Sequence, residues 1–371
     1  MKSLVRLLVV VAAIAATVFA AAAPARAEGS GGNAVFVQTN DPAGNAIDAF
    51  RRNGDGTLTF QNSYATGGLG GREAGSMSDP LASDGSLVQL PGGLLAGVNA
   101  GSNTISVFQV SGTTLHLNQV LPSGGSFPTS VAFKGNLVYV LNAGGPGTVS
   151  GFQVVGGQLQ PIAASTRTLG LANSTPPFFL SSPAQVGFTP DRAHLVVTTK
   201  INSTVDIFSV SPDGTLSAAP VKNPAAGVPF AFEFDSAGRM VLNFAGTSSL
   251  ETFDVNADNT ITPVSTPASD NQMALCWITE AHGFQYASNT GSNDISQFDV
   301  LGNGSVMLVN PVAASNIPGA TDSTAAGEFL YVQSGLSSTV HVFSVGAGGA
   351  LTPVQVVAVP DGGSQEGIVV T

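Results

Sequence analysis

Residues 99–108 read Asn-Ala-Gly-Ser-Asn-Thr-Ile-Ser-Val-Phe, a polar turn and then a strand with Ile and Phe three places apart. Residues 289–298 repeat this arrangement as Asn-Thr-Gly-Ser-Asn-Asp-Ile-Ser-Gln-Phe. An aliphatic residue followed three places later by Phe recurs along the whole chain. The seven pairs are Ile47/Phe50, Ile105/Phe108, Val149/Phe152, Val205/Phe208, Leu250/Phe253, Ile295/Phe298 and Val340/Phe343.

The spacing of these pairs predicts the architecture. Successive Phe residues lie 58, 44, 56, 45, 45 and 45 positions apart. A recurring period near 45 is typical of radial β repeats, in which each repeat forms one four-stranded blade. The 45 Gly and 22 Pro residues favour many turns over helices. We therefore expect an all-β fold, a seven-bladed propeller of four-stranded antiparallel blades.

The two ends of the chain predict how the ring closes. The segment Ala34-Val-Phe-Val37 matches the second strand of a blade, whereas Gly367-Ile-Val-Val-Thr371 matches an inner strand. The C-terminal strand is therefore expected to complete the blade that the N-terminal strand begins. Closure of this kind removes open sheet edges, which otherwise promote aggregation. Residues 28–371 are predicted to form this single domain.

The first 27 residues have the pattern of a Sec-type signal peptide. Lys2 and Arg6 precede an apolar run, and the small residues Ala25 and Ala27 flank Arg26 at a candidate cleavage site. Cleavage after Ala27 would release a secreted or periplasmic protein. The alternative is an uncleaved membrane anchor, because the apolar run is nearly long enough to span a bilayer.

The charge of the chain disfavours two classes of partner. The net charge is −11, and removal of Lys2, Arg6 and Arg26 with the leader makes it −14. Nucleic acids and anionic membranes are bound through clustered Lys and Arg, so neither is an expected partner of the mature protein. The lone cysteine, Cys276, lies in an apolar run and is expected to be a buried, inert thiol. Nothing in the composition requires more than a monomer.

Two insertions account for the long Phe spacings of 58 and 56. They span residues 67–79 and 164–182, and the order of strands in a propeller places both on one face. Long loops on a rigid scaffold commonly carry binding sites, although they can also simply cover a channel. This loop-rich face is predicted to bind a small polar ligand, a glycan or a protein. The candidate ligand-binding residues are Arg72, Glu73, Asn99, Asn142, Gln185, Gln272, Asn289 and Glu366.

Two residues are candidates for catalysis. Glu233 alternates with Phe residues in a predicted inner strand, and a carboxylate beside apolar walls can serve as a general acid or base. Lys200 follows an apolar strand and offers a cation. The four His residues show no zinc-binding spacing, so no metal or other cofactor is predicted.

The blade pattern resembles the lactonase family of seven-bladed propellers, which includes 6-phosphogluconolactonase-like and carboxymuconate-cyclase-like proteins. The residues that carry the resemblance are those at 99–108, Phe188-Thr-Pro-Asp191 and Asp213-Gly-Thr-Leu216. The resemblance covers the mature chain and implies lactone chemistry at inner-strand His and Arg residues and at an Asn-Glu turn. At the matching positions this chain has Ala184, Thr129, Phe230 and Phe244.

Two functions follow from this comparison with the family pattern. The first is an exported binding or interaction scaffold that has lost the charged catalytic set. The second is a divergent lactonase-like or cyclase-like enzyme with relocated groups, namely Glu233, Lys200, or Arg72 with Glu73. A carboxylate and a cation that meet at the centre of a pocket would favour the enzyme. An amide-lined mouth without such a pair would favour the scaffold.

Overall fold

Seven antiparallel sheets account for the 30 strands in residues 33–371, the part of the chain that a computed structural model describes. The predicted signal segment lies outside the described residues. The strands of blades 1, 2 and 3 are as follows. Blade 1 contains β1 (Ala34–Gln38), β2 (Ala46–Arg52), β3 (Leu58–Ala65) and the last strand, β30 (Ile368–Val370). Blade 2 contains β4 (Leu87–Leu90), β5 (Leu94–Asn99), β6 (Thr104–Ser111) and β7 (Thr114–Pro122). Blade 3 contains β8 (Pro128–Lys134), β9 (Leu137–Asn142), β10 (Thr148–Val155), β11 (Gln158–Pro161) and the short β12 (Arg167–Thr168).

The remaining four blades follow in chain order. Blade 4 contains β13 (Pro183–Phe188), β14 (His194–Thr199), β15 (Thr204–Ser209) and β16 (Val221–Pro224). Blade 5 contains β17 (Pro229–Phe234), β18 (Met240–Phe244), β19 (Ser249–Val255), β20 (Ile261–Pro263) and the short β21 (Ala268–Ser269). Blade 6 contains β22 (Leu275–Ala281), β23 (Phe284–Asn289), β24 (Asp294–Val300) and β25 (Val306–Ser315). Blade 7 contains β26 (Ala320–Ala326), β27 (Phe329–Ser334), β28 (Thr339–Val345) and β29 (Leu351–Ala358).

The inner strands of neighbouring blades form a closed cycle around a central channel. They contact one another in the order β4, β8, β13, β17, β22, β26 and β30, and β30 contacts β4 again. In blades 3 and 5, the short strands β12 and β21 pair with the third strand beyond the end of β11 and β20, so the outer strand of each blade is interrupted. The predicted seven-bladed, four-stranded, all-β architecture is confirmed.

The repeated Phe residues pack between the blades. Each stands on the third strand of its blade, and the exposed fraction of its side chain is at most 5%. Phe208 contributes to a cluster with Tyr139 and Val186 of the inner and second strands of blades 3 and 4. The regular sequence repeat is therefore a repeat of the apolar contacts that hold adjacent sheets together.

The ring is closed by the C-terminal strand, as predicted. Strand β30 pairs antiparallel with β1, with Val37 opposite Ile368 and Val35 opposite Val370. The N–H of Ile368 also donates to the Oδ2 of Asp322 in blade 7, at 3.2 Å. The last strand therefore completes the first blade and also contacts the last one.

Helical structure within residues 33–371 is limited to two three-residue 3₁₀ turns, Ala100–Ser102 and Ala347–Gly349. No described helix is both long and apolar enough to cross a bilayer. Connections between second and third strands share one face with connections that lead from one blade to the next. We call this the upper face; the candidate site lies there.

Candidate functional site

The two insertions meet on the upper face. The N–H of Ala74 donates to the carbonyl oxygen of Pro177 at 2.8 Å, and the N–H of Phe179 donates to the carbonyl oxygen of Ala74 at 3.1 Å. Ser182 adds a bond from its Oγ to the Oε2 of Glu73, at 2.7 Å. The first insertion thus reaches across the upper face to blade 4, and the pair of insertions forms a roof over part of the channel.

Beyond the roof, residues 79–86 enter the channel; we call them the channel segment. The chain turns into the channel at Asp79, whose carboxylate accepts the N–H of Leu81 at 2.9 Å and that of Ser83 at 3.0 Å. Because one side chain satisfies two backbone donors, the chain can turn inward without leaving these groups unpaired.

The channel segment contacts three other blades of the ring. The Oγ of Ser83 donates to the carbonyl of Thr129 in blade 3, and the indole Nε1 of Trp277 in blade 6 donates to the carbonyl of Ser83 at 3.0 Å. The N–H of Asp84 donates to the carbonyl of Ala184 in blade 4, at 3.1 Å. The segment is therefore anchored across the channel, not suspended at its mouth.

Lys200 holds the middle of the channel segment. It follows β14 directly, and its Nζ donates to the carbonyl oxygen of Ala82 at 2.5 Å. The same Nζ lies 3.7 Å from the Oε2 of Glu73 and 5.5 Å from the ring centre of Phe230. Lys200 is 1% exposed, so this ammonium group is surrounded by a carboxylate, a carbonyl dipole and an aromatic face rather than by water.

Burial shifts the pKa values of this pair toward each other. The pKa of Glu73 is raised to about 8, chiefly by burial, although Lys200 and the bond from Ser182 act in the opposite direction. Burial lowers the pKa of Lys200, and Glu73 and Asp79 partly counter that effect. Both shifts have the same main cause, because burial disfavours the charged form of each group, and shifted pKa values of this kind are common at acid–base sites.

A second set of carboxyl groups lies beside the first. Asp79 lies close enough to Glu366 to raise the proton affinity of Glu366, and neither buried side-chain oxygen of Glu366 has a hydrogen-bond partner among the described residues. Burial raises the pKa of both groups, and the charges of Asp79, Asp322 and Asp84 raise that of Glu366 further.

A cavity of about 490 Å³ opens beside these groups on the upper face. Asp79 and Lys200 are the charged groups in its lining, while both insertions contribute to its wall. Most of the remaining lining is apolar and includes Phe179, Leu180, Val228, Phe230, Trp277 and Leu336. A volume of this size suits a small organic molecule.

Cys276 also lines the cavity, but its thiol is not activated. Burial raises its pKa to about 12, so the nucleophilic thiolate is scarce at neutral pH. This agrees with the inert thiol expected from its apolar sequence context.

Of the predicted ligand-binding residues, Glu73 and Glu366 join the charged groups beside the cavity. Arg72 lies outside; its guanidinium is 3.2 Å from the Oγ of Ser364 and links the first insertion to the C-terminal loop. Gln185 spans blades 4 and 5, where its Oε1 accepts the N–H of Phe232 at 2.6 Å. Gln272 stands in the connection before blade 6, where its backbone N–H donates to Asp270.

Each of the three predicted Asn residues is the last residue of the second strand of its blade. Asn99 accepts from Thr66 and donates to Ser106 and Thr104, and all of its polar atoms are engaged. Asn289 donates to Asp294 and Ser296, both at 2.8 Å. Asn142 is fully buried at the end of β9. These amides organise the upper ends of their blades and do not line the cavity.

Glu233 and Lys200, the two predicted catalytic residues, are not paired. Glu233 accepts the N–H of Glu280 in blade 6 at 3.1 Å, and its pKa is raised to about 8, first by burial and then by Asp84. The cation expected beside it pairs with Glu73 instead. The structure therefore brings together a carboxylate and an ammonium group, but from a different part of the sequence.

Asp79, Asp84 and Trp277 were missed as site residues by sequence reasoning. Nothing in a 45-residue repeat predicts that an insertion turns down into the channel. The available signals were the long spacing itself and the short inner strand β4, four residues against seven for β8. Within residues 33–371, no group of three or more His, Cys, Asp or Glu side chains is arranged to hold a metal ion.

Comparison with known proteins shows a likeness to one family over part of the chain. The family model described as "Lactonase, 7-bladed beta-propeller" matches residues 252–364, which is less than a third of the sequence. The resemblance read from the blade pattern is thereby confirmed, and the seven observed blades are those that the family description names. No curated protein sequence matches the chain at a significant level.

Solved structures share this fold over nearly their whole length. The periplasmic gluconolactonase of Pseudomonas aeruginosa aligns with a TM-score of 0.70 and 18% identity, over 91% of this chain and 99% of that one. A candidate 6-phosphogluconolactonase from Bacteroides uniformis gives 0.69 and 19%, over 91% and 100%. A protein from Lactobacillus plantarum gives 0.68 and 18%, over 88% and 96%. At these identities the likeness is one of fold.

Proposed function

We propose that the lactonase-type propeller hydrolyses a small lactone in the cavity of the upper face. The observation that carries the proposal is that an ammonium group and a carboxyl group, Lys200 and Asp79, line the same largely apolar cavity. Lactone opening needs a group that accepts a proton and a group that stabilises the developing negative charge. The two residues offer one of each.

The proposed reaction begins with water attacking the lactone carbonyl carbon. The carboxylate of Asp79 accepts a proton from the water as the C–O bond forms. The carbonyl oxygen becomes negative and is stabilised by Lys200, whose charge acts strongly because water is excluded. The bond to the ring oxygen then breaks, that oxygen regains the proton, and the product is a hydroxy acid.

Glu73 is assigned a positioning role. Its Oε2 lies 3.7 Å from Nζ of Lys200, and the bond from Ser182 fixes the carboxyl group in place. When Glu73 is ionised, its charge raises the pKa of Lys200 and favours the protonated lysine, which is the form that can stabilise an oxyanion. Glu73 thereby acts through Lys200 and not on the substrate.

The test is hydrolysis of a panel of γ- and δ-lactones by the purified chain. Lys200→Met, which removes the charge but keeps the length, is expected to lower kcat/KM about 100-fold or more. Lys222→Met is the matched control, because Lys222 pairs with Asp206 at the outer side of blade 4, away from the cavity. Hydrolysis that survives Lys200→Met at the wild-type rate would contradict the proposal, as would no turnover of any lactone.

A binding scaffold is the second candidate. It is favoured by the engagement of Lys200 with Ala82 and Glu73, and by uncharged residues at the positions where the family resemblance implies His, Arg and Glu. The panel separates the two functions, because a scaffold would be stabilised against heat by a lactone that it never opens. In either case the cavity lies on the loop-rich face proposed to meet ligands or partners.

We also propose that the chain is exported and acts as a monomer. The basis is the leader pattern in residues 1–27. Mass spectrometry of the protein recovered from cells is expected to place the new N-terminus at Glu28. A retained leader in the membrane fraction would support the anchor instead, and light scattering would report the mass of the particle.

A further inference from the structure

The cavity mouth is surrounded by exposed apolar side chains. Five large hydrophobic residues among residues 33–371 have more than half of their surface exposed, and four of them stand on the upper face. We call these four the apolar rim: Met77 at 82%, Met273 at 62%, Leu336 at 59% and Ile201 at 57%. Exposed apolar residues that gather in one place generally mark a binding surface.

The apolar rim is continuous with the cavity. Met77 and Leu336 belong to its lining, and Met273 is adjacent to the lining residue Ala274. The N–H of Ile201 donates to the carbonyl of Leu180, another residue of the wall. An apolar path therefore leads from the solvent, past the rim and along Phe179, Phe230 and Trp277, to the buried charges of Lys200 and Asp79.

Several polar groups in the lining already form hydrogen bonds within the protein. The Oγ1 of Thr290 already donates to the carbonyl of Ala320, and the Oδ1 of Asn293 accepts the N–H of Gly319. Ser76 donates to the carbonyl of Glu73. A buried hydroxyl group that finds no partner costs about 1–3 kcal/mol. A polyhydroxylated sugar lactone would therefore be a poor fit to these walls.

We infer that the substrate is a lactone that carries an alkyl chain, with its ring at Lys200 and its chain running along the apolar wall to the rim. This inference rests on the proposed function, since it deepens the assignment of the same cavity. The polar end of such a molecule meets the charged floor of the cavity. Its apolar end meets the walls and the apolar rim, and burial of the chain supplies most of the affinity.

The test uses two matched ligand series. One is γ-butyrolactone with γ-hexalactone, γ-octalactone and γ-decalactone, which can be hydrolysed. The other is cyclopentanone with its 2-ethyl, 2-butyl and 2-hexyl derivatives, which have the carbonyl but no ring C–O bond to break. Calorimetry with the second series measures binding apart from turnover. The dissociation constant is expected to fall about fourfold per added methylene until the cavity is filled.

Substitution of the rim provides the structural control. Met77→Asp and Leu336→Asp are expected to abolish the gain in affinity for the longest chains. Met307→Asp is the matched variant, because Met307 is 49% exposed on an outer strand far from the cavity. Affinity that is independent of chain length, or an equal effect of Met307→Asp, would overturn the inference. So would binding of glucono-δ-lactone as tight as that of γ-decalactone.

The two proposals fail in different ways. Chain-dependent binding of the ketones without hydrolysis of any lactone would leave the ligand class intact and remove the enzymatic assignment. Hydrolysis of lactones at rates that do not depend on the length of the alkyl chain would support the enzymatic assignment and overturn the inferred ligand class. Neither result depends on folding of a damaged protein, because the wild-type chain gives both.

Discussion

The pKa values of Asp side chains shift in opposite directions in the outer hairpins of the propeller and in its channel. In three outer hairpins, Asp55, Asp213 and Asp258 accept hydrogen bonds from the backbone and hydroxyl groups of the Thr two residues later. These bonds lower the pKa of each carboxyl group. In the channel, burial raises the pKa of Asp79 and brings that of Asp84 to about 7.

The difference separates the part of the molecule that repeats from the part that does not. A repeated turn satisfies its own polar groups locally, so the same short sequence can be used in several blades. The channel segment occurs once and holds carboxyl groups where water cannot solvate them fully. Desolvated charges lower the stability of the native fold, and sites of catalysis or binding often carry such strain.

The largest loss of folding stability is expected when the ring of seven blades is opened. Deletion of residues 367–371 removes β30, its pairing with β1 and the buried side chain of Ile368. The expected loss is about 5 kcal/mol, since each lost strand hydrogen bond and the exposed apolar surface contribute about 1–3 kcal/mol. Chemical denaturation followed by circular dichroism measures it.

Deletion of Thr371 alone is the control for this truncation. It leaves β30 in place and is expected to cost about 1 kcal/mol. Equal unfolding curves for the wild-type chain and the longer truncation would show that the ring does not need its last strand. The repeating blades would then not depend on ring closure for their stability, and the contrast between them and the channel segment would be wrong.

A smaller effect is expected from one position of the repeat. Phe208→Ala removes a fully buried ring from the contact between blades 3 and 4 and should cost about 3–5 kcal/mol. Phe133→Ala is the matched substitution, because the ring of Phe133 is 39% exposed at the end of β8, and it should cost less than about 1.5 kcal/mol. Similar losses for both variants, measured by urea denaturation, would mean that the repeated Phe has no special weight.

The smallest effect concerns the channel and depends on pH. The pKa of Glu233 is about 8 in the folded protein, above its ordinary value of 4.5, so the native state binds a proton that the unfolded chain releases. The stabilisation is present below pH 4.5 and is lost as the pH rises toward 8. Glu233→Gln, which still accepts the N–H of Glu280, is expected to reduce the decline between pH 5 and 8 by about 1–2 kcal/mol.

Glu251→Gln serves as the comparison for that variant, because burial raises the pKa of Glu251 by a smaller amount and no charged partner contributes. Denaturation curves at pH 5 and 8 give the two slopes. If Glu233→Gln and the wild-type chain lose stability in parallel as the pH rises, ionisation of the buried Glu233 carboxyl group does not destabilise the fold.

The frame could be predicted from sequence because its determinants are local and recur. Each Ile or Val with its Phe reports the same contact, and the strand at residues 367–371 was recognisable as the missing inner strand. The candidate site could be predicted only in part. Lys200, Glu73 and Glu366 were recognised as candidates, but the Glu73–Lys200 pair joins two distant blades, and no periodic pattern encodes a contact of that kind.

Asp79 and Asp84 show why the remainder was not predictable. Asp79 belonged to an insertion expected to stay on the surface, and its role depends on the downward turn that its own carboxylate stabilises. Asp84 attracts attention only when the carbonyl of Ala184 is known to lie beside it. Both features arise from how the insertion packs against the finished ring.

Ring closure also sets the order in which the molecule becomes complete. Glu366 stands two residues before β30, and its N–H donates to the carbonyl of Gln38 at 3.0 Å, so the carboxyl group beside Asp79 reaches its place together with the strand that closes the ring. A partly synthesised chain therefore lacks a piece of the cavity's charged floor until its final residues have docked. Proteolytic trimming of the same few residues would remove the closure and that carboxyl group in a single cut.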